Sequence, residues 1–173
     1  MNSVITNEIK LLNVRVTHKK APIHVLEKFT FKDIAKAHRA FLTSGDIQEC
    51  VILQTCNRVE LFLALESIDV EKIFDIWKSI IGLEGLSFEF VEIDEDKAAI
   101  HHLLRLTSGL ESLVVGEDQI LGQVKRAFEY SRHNCYVDSF IPIIFEHAIK
   151  VGSRIRTNTG LNKGSVSIGS MAV

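Results

Sequence analysis

The chain has 173 residues, 46% hydrophobic and 24% charged, enough to bury one good core in one or at most two domains. A net charge of -2 excludes a global basic field for nucleic acid, so any RNA contact must use a local patch. Cys50, Cys56 and Cys135 lack CxxC spacing, which excludes a disulfide framework and a zinc knuckle; with no secretory leader or membrane-length apolar run, a soluble cytoplasmic protein is expected.

Leu12, Val14 and Val16 alternate with Asn13, Arg15 and Thr17, which predicts a first strand ending near His18. Pro22 suits the first turn of a short helix with Ile23, Leu26 and Phe29 on its apolar face. Asp33 is placed to cap a second helical piece carrying Ile34, Ala37, Phe41 and Leu42, stopped by Ser44-Gly45-Asp46. Cys50-Val51-Ile52-Leu53 reads as a strand buried on both faces. In the next strand Val59, Leu61, Leu63 and Leu65 alternate with Glu60, Phe62, Ala64 and Glu66. Between these two strands, Gln54-Thr55-Cys56-Asn57-Arg58 gathers a thiol, amides, a hydroxyl and a guanidinium in a tight connection. A reactive thiol needs access, positive charge and hydrogen-bond donors, and this loop offers all three. The plainer alternative is that Cys56 is a small, half-buried apolar residue.

Asp69 opens a strongly periodic helix with Val70, Ile73, Phe74, Trp77 and Ile81, ending at Gly82. Leu86, Phe88 and Phe90 alternate with Ser87, Glu89 and Val91 as a fourth strand. Strand, helix, strand, strand, helix, strand is the order of a ferredoxin-like α+β fold, a four-stranded antiparallel sheet with helices on one face. After Asp94 the pattern is helical only. Residues 94–106 carry Ile100, Leu103 and Leu104 on one stripe, which puts His102 and Arg105 on the opposite, polar side. A long connection over 107–117 precedes a helix begun by Asp118, with Ile120, Leu121, Val124 and Phe128 inward. The last long helix, 139–159, is read with Phe140, Ile143, Ile144, Val151 and Ile155 on its apolar face and His147 packed among them. Lys150, Arg154 and Arg156 give it a basic end, and Ser165 is placed to cap one more short helix.

QTCNRVELF at 54–62, HLLRLTSGLESLVVGEDQILGQVKRAF at 102–128 and NTGLNKGSVSIGSMAV at 158–173 together resemble glutamyl-tRNA reductase. THKKAPIHVLEKFTF at 17–31 is similar to that family's first helix region. The resemblance implies NADPH-dependent reduction of glutamyl-tRNA(Glu) to glutamate-1-semialdehyde, the entry step of the five-carbon route to tetrapyrroles. It implies Cys56 as the nucleophile that forms a glutamyl thioester and His102 as the activity-critical histidine. Arg58 is shaped to hold the substrate carboxylate by a bidentate pair, with Thr55 and Asn57 orienting substrate or thiolate. Ser112, Glu117, Asp118, Gln119 and Gln123 fall on the family's substrate-contact positions. Asp118 departs from the family pattern, which has proline there; the change removes a fixed φ and adds a charge.

The resemblance further implies that residues 1–157 form the catalytic domain and 158–173 begin the connection to an NADPH-binding domain beyond this chain. The sequence holds no GxGxxG, so no cofactor-binding residue is named within it. It also implies a homodimer formed through a further C-terminal region, and a downstream aminomutase as a possible partner. An RNA-recognition module stacks bases on aromatics of its central strands, and here only Phe62 is available. A metal-binding domain needs clustered ligands, which the sequence lacks at ligand spacing. A non-catalytic glutamyl-tRNA-binding module is the remaining alternative.

Overall fold

The computed structural model describes residues 8–83, 85–112 and 119–159. Its sheet is built from β1 (Lys10–Thr17), β2 (Ile47–Gln54), β3 (Arg58–Leu65) and β4 (Glu92–Glu95), in the order β2-β3-β1-β4 with every pair antiparallel. The connections are α1 (Ile23–Leu26), α2 (Ile34–Leu42) and α3 (Val70–Ile81), followed by α4 (Asp96–Thr107), α5 (Gln119–His133) and α6 (Phe140–Thr159). This is the expected ferredoxin-like α+β arrangement with a helical segment after it. The starts and stops follow local chemistry. Asp33 and Asp69 each accept a hydrogen bond from the amide three residues on, at Lys36 and Lys72, and Gly82 takes the left-handed conformation that ends α3.

Strand period two divides the sheet into two faces, and both are covered. Leu12, Val14, Val16, Cys50, Ile52, Leu61 and Leu63 meet α1, α2 and α3 in one core, where Trp77 packs on Phe29 and Phe31. Leu11, Val51, Leu53, Phe62 and Ala64 meet α4, α5 and α6 in a second core, where Phe145 packs on Phe62 and Phe128. The helical segment is therefore the lid of the sheet's other face. All eight residues of β3 are buried in consequence, Glu60 among them.

The structure departs from the expected pattern in several places. Residues 88–90 form a single 3-10 turn, and the fourth strand is the charged stretch Glu92–Glu95. Arg15 fixes that choice, pairing with Asp94 at 2.6 Å and Glu92 at 3.7 Å across the strands. On α4 the buried face is Ala99, His102, Leu103, Leu106 and Thr107, so His102 points inward and not to solvent. On α6 it is Ile141, Phe145, Ala148, Gly152 and Arg156. His147 and Ile143 are exposed, not packed.

The N-terminus of α6 is held by an acid from the sheet. Glu49 of β2, buried, accepts from the amides of Ser139 at 3.0 Å, Phe140 at 2.7 Å and Ile141 at 2.8 Å. One carboxylate thus satisfies three orphan donors and faces the positive end of the helix dipole. Glu49→Ala removes all three acceptors and is expected to destabilise the fold by about 2–3 kcal/mol. A urea titration checks it, and a midpoint unchanged from the parent would contradict the capping role.

Candidate active site

On the face covered by α4–α6, the sheet is apolar at one end and polar at the other. Moving toward the β2–β3 turn, Leu11, Phe62 and Ala64 give way to Asn13, Arg15, Glu60, Thr17 and Arg58. The polar end is where Cys56 stands, exposed in the loop between β2 and β3, as the sequence predicts. Thr55 N donates to the Arg58 carbonyl at 2.9 Å, and Asn57 N donates to Thr55 Oγ1 at 3.2 Å, so the loop is bonded to itself on both sides of the thiol. The Asn57 carbonyl accepts from His18 N at 2.9 Å and lies 3.3 Å from His18 Nδ1.

Thr55, Cys56, Asn57, Arg58, Ser112, Gln119 and Gln123, with Ile120, line one slot of about 40 Å³. Seven of the ten residues implied by the resemblance therefore converge. Glu117 and Asp118 lie outside the described residues. Ser112 Oγ is buried and has no hydrogen-bond partner among the described residues. An unpaired buried hydroxyl is costly unless a ligand or water completes it. The helical residues reach the slot because α5 lies against β2, with Ile120 and Val124 in the core and Gln119 and Gln123 turned toward the loop.

His102 does not line the slot. It is joined to it through a buried carboxylate: His102 Nε2 lies 2.7 Å from Glu60 Oε2, and Arg58 Nη1 donates to Glu60 Oε1 at 2.7 Å. Asn13 Nδ2 adds a third bond, 3.2 Å to Glu60 Oε2. Burial alone would raise the Glu60 pKa, but the His102 and Arg58 interactions outweigh it and hold the carboxyl down to about 2. An ionised carboxylate only accepts, so His102 Nε2 donates to Glu60 and Nδ1 is the ring nitrogen turned away from it. Arg58 Nη2 also donates to the Glu111 carbonyl. Both terminal nitrogens of the expected carboxylate fork thus have protein partners, and Arg58 is buried.

Glu111 closes the arrangement. Its side chain pairs with Arg105 Nε at 2.6 Å and with Lys19, so the segment before Ser112 is clamped to α4 and to the β1–α1 turn. Burial works against ionisation of Glu111, but these cations lower its pKa on balance. Glu60, Glu111 and His18 are absent from the sequence-based candidate list. Arg58 and Glu60, two apart on one strand, share a face, which is a usable signal for the first; the other two have none nearby.

Cys50 gives an internal control for the thiol. It is buried in β2, and burial pushes its thiol far up. In the native state iodoacetamide is expected to label Cys56 and leave Cys50 untouched, read by peptide mapping. Equal labelling of the two would contradict the placement of both.

Fold and site define an α+β domain built to present one thiol in a polar slot. Residues 14–159 match the family described as Glutamyl-tRNAGlu reductase, N-terminal domain, and the chain belongs to it. Glutamyl-tRNA reductase of Cenarchaeum symbiosum is 48% identical over 164 residues, covering 94% of this chain and 39% of the relative. That of Methanosarcina barkeri is 40% identical over 158 residues, covering 91% and 34%. The solved structure of glutamyl-tRNA reductase from Methanopyrus kandleri superposes with a TM-score of 0.79 at 36% identity, over 92% of this chain and 37% of that one. The chain thus spans less than two fifths of the length of these relatives.

Proposed function

We propose that this chain is the thioester-forming part of an enzyme that reduces glutamyl-tRNA(Glu) to glutamate-1-semialdehyde with NADPH, opening tetrapyrrole synthesis. The observation that carries the reading is the exposed Cys56 beside the unpartnered Ser112 Oγ, inside a slot ringed by amides and a guanidinium. In the proposed step Cys56 Sγ, as thiolate, attacks the ester carbonyl carbon. The bond to the tRNA 3′-oxygen breaks, that oxygen takes a proton, and glutamate remains as a thioester. A thiolate divides one hard displacement into two easier ones. Ser112 Oγ and the side-chain amides of Asn57, Gln119 and Gln123 are the groups available to hold the glutamyl moiety, and Arg58 adds positive charge at the slot. For His102 to move a proton, Nδ1 is the atom that does it, with Glu60 holding the ring from behind.

NADPH supplies a hydride when bound, but the described residues do not fit it. Every strand pair is antiparallel, and a dinucleotide site is built on a parallel βαβ unit with a glycine-rich turn. No step through the cofactor is assigned to these residues. The division at 157–158, the homodimer and a downstream aminomutase remain parts of the proposal for the whole protein; α6 itself runs to Thr159. A cytoplasmic setting is a further part of that proposal; among the described residues no helix is long and apolar enough to cross a membrane.

Alkylation separates catalysis from binding. Chain blocked at Cys56 with iodoacetamide is expected to retain tRNA binding and to lose all transfer of radiolabelled glutamate from charged tRNA to protein. Equal transfer before and after blocking would leave only the binding-module reading.

A further inference from the structure

Gln123 borders two depressions. One is the slot at Cys56, and the other is a groove of about 730 Å³ between the start of α2 and the outer side of α5. Ligand clefts commonly fall at roughly 300–1,000 Å³. Its inner wall is the end of β2, where Gln54 leads directly into Thr55 and Cys56. Gln54 braces that wall: Phe31 N donates to Gln54 Oε1 at 2.8 Å, and Gln54 Nε2 donates to the Phe31 carbonyl at 3.2 Å. Lys32, next in sequence, and Arg126 of α5 are exposed cations on the groove. Asp33 is the acidic residue lining it, and Oδ1 of its carboxylate already accepts from the Lys36 amide. Tyr130 is 39% exposed, and its ring is backed by His38 at 5.7 Å and Tyr136 at 6.2 Å between centroids.

We propose that this groove receives the 3′-terminal adenosine of the aminoacylated tRNA. The inference rests on the function proposed above and extends it to the leaving group. The ester joins glutamate to the terminal ribose, so a carbonyl at Cys56 brings the terminal nucleoside within one nucleotide's length of the slot. The braced, cationic groove adjoins the slot at Gln123 and Gln54. An adenine offers flat faces and a phosphate offers charge. Tyr130 supplies a held aromatic surface, and Lys32 and Arg126 supply phosphate contacts. Stacking and backbone contacts suit an end that is the same in every tRNA, whereas discrimination among tRNAs must come from elsewhere.

The test compares two acceptor-stem RNA hairpins, one ending in the unpaired CCA and one lacking only the final adenosine. Deleting the adenosine is expected to weaken binding to the parent chain about tenfold or more. In Ala127→Trp, which fills the groove without changing charge, both hairpins should bind alike, and in Arg126→Ser the difference between them should shrink. Thermal midpoints of the variants report folding. Because Ala127→Trp disturbs a half-buried position, a third arm uses the parent chain alone: a hairpin ending in 8-azidoadenosine should crosslink within residues 32–35 or 123–130. A crosslink elsewhere, or an equal loss on both hairpins, overturns the groove, as does protection by NADPH, which would assign it to the dinucleotide. If glutamate passes from charged tRNA to Cys56 with the same half-saturating concentration in parent and groove variants, the function stands and the groove inference falls. If the parent accepts no glutamate, the proposed function falls with it.

Discussion

Glu60→Gln should cost the fold about 3–5 kcal/mol, the range for breaking a buried ion pair from one side. The glutamine keeps the shape but leaves Arg58 buried without its counter-charge, and it can no longer accept from Arg58, His102 and Asn13 together. The pH dependence gives a second signature. Glu60 has a folded pKa near 2 against an ordinary 4.5, so its contribution is fully present above about pH 4.5 and is lost as pH falls toward 2. Urea midpoints measured across that window should therefore fall more steeply in the parent than in Glu60→Gln. A variant with parent stability and the parent's acid slope would mean that the network does not hold the polar end of the sheet.

The other large effect comes from a missing side chain. A Cβ built on Gly152 would sit 2.6 Å from Thr107 Cβ and 2.7 Å from the Thr107 carbonyl carbon and oxygen. Two of those three atoms are backbone, so no rotamer change relieves the clash, and α4 and α6 must separate. Alanine gains about 1 kcal/mol in helix propensity at an interior position. Overpacking costs about 1–3 kcal/mol and sometimes more, and at this separation the upper end applies. Gly152→Ala is therefore expected to lose about 2 kcal/mol net, read as a lower urea midpoint at unchanged slope. The same displacement would move α4, which carries His102, so reactivity at Cys56 should change with stability. A neutral or stabilised variant would show that the helices approach less closely.

These two positions also show where sequence reading stops. Strand order, the helix caps at Asp33 and Asp69 and the exposed Cys56 turn all follow from local signals, because each depends on neighbours in the chain. Facing does not. Alternation in β3 suggests a sheet with one wet side, yet α4–α6 cover that side, and Glu60 is dry because Arg58 of β3 and His102 of α4 meet it there. The α4 stripe drawn through Ile100, Leu103 and Leu104 is rotated by roughly a quarter turn from the real one, since the polar end of the sheet draws His102 inward. On α6 the large apolar residues misled, and the small ones, Ala148 and Gly152, mark the tight helix contact. Leu86, Phe88 and Phe90 alternate like a strand, but the ladder forms where Arg15 meets Glu92 and Asp94. Glu49 reaches α6 across about ninety residues of sequence, a distance no local pattern spans. For the candidate site, convergence of Thr55, Cys56, Asn57, Arg58, Ser112, Gln119 and Gln123 on one slot was legible only through the resemblance. The carboxylates that brace it became visible only in three dimensions.

Cys56 is proposed to take the glutamyl group from tRNA. Acid-quenched mass spectrometry at saturating glutamyl-tRNA tests it most directly, with Cys56→Ser as control, because serine is a poor nucleophile without a dedicated base. A mass increase of one glutamyl group is expected on the peptide carrying Cys56, and none on the variant. A parent chain that demonstrably binds the charged tRNA yet carries no adduct would contradict the covalent role of Cys56.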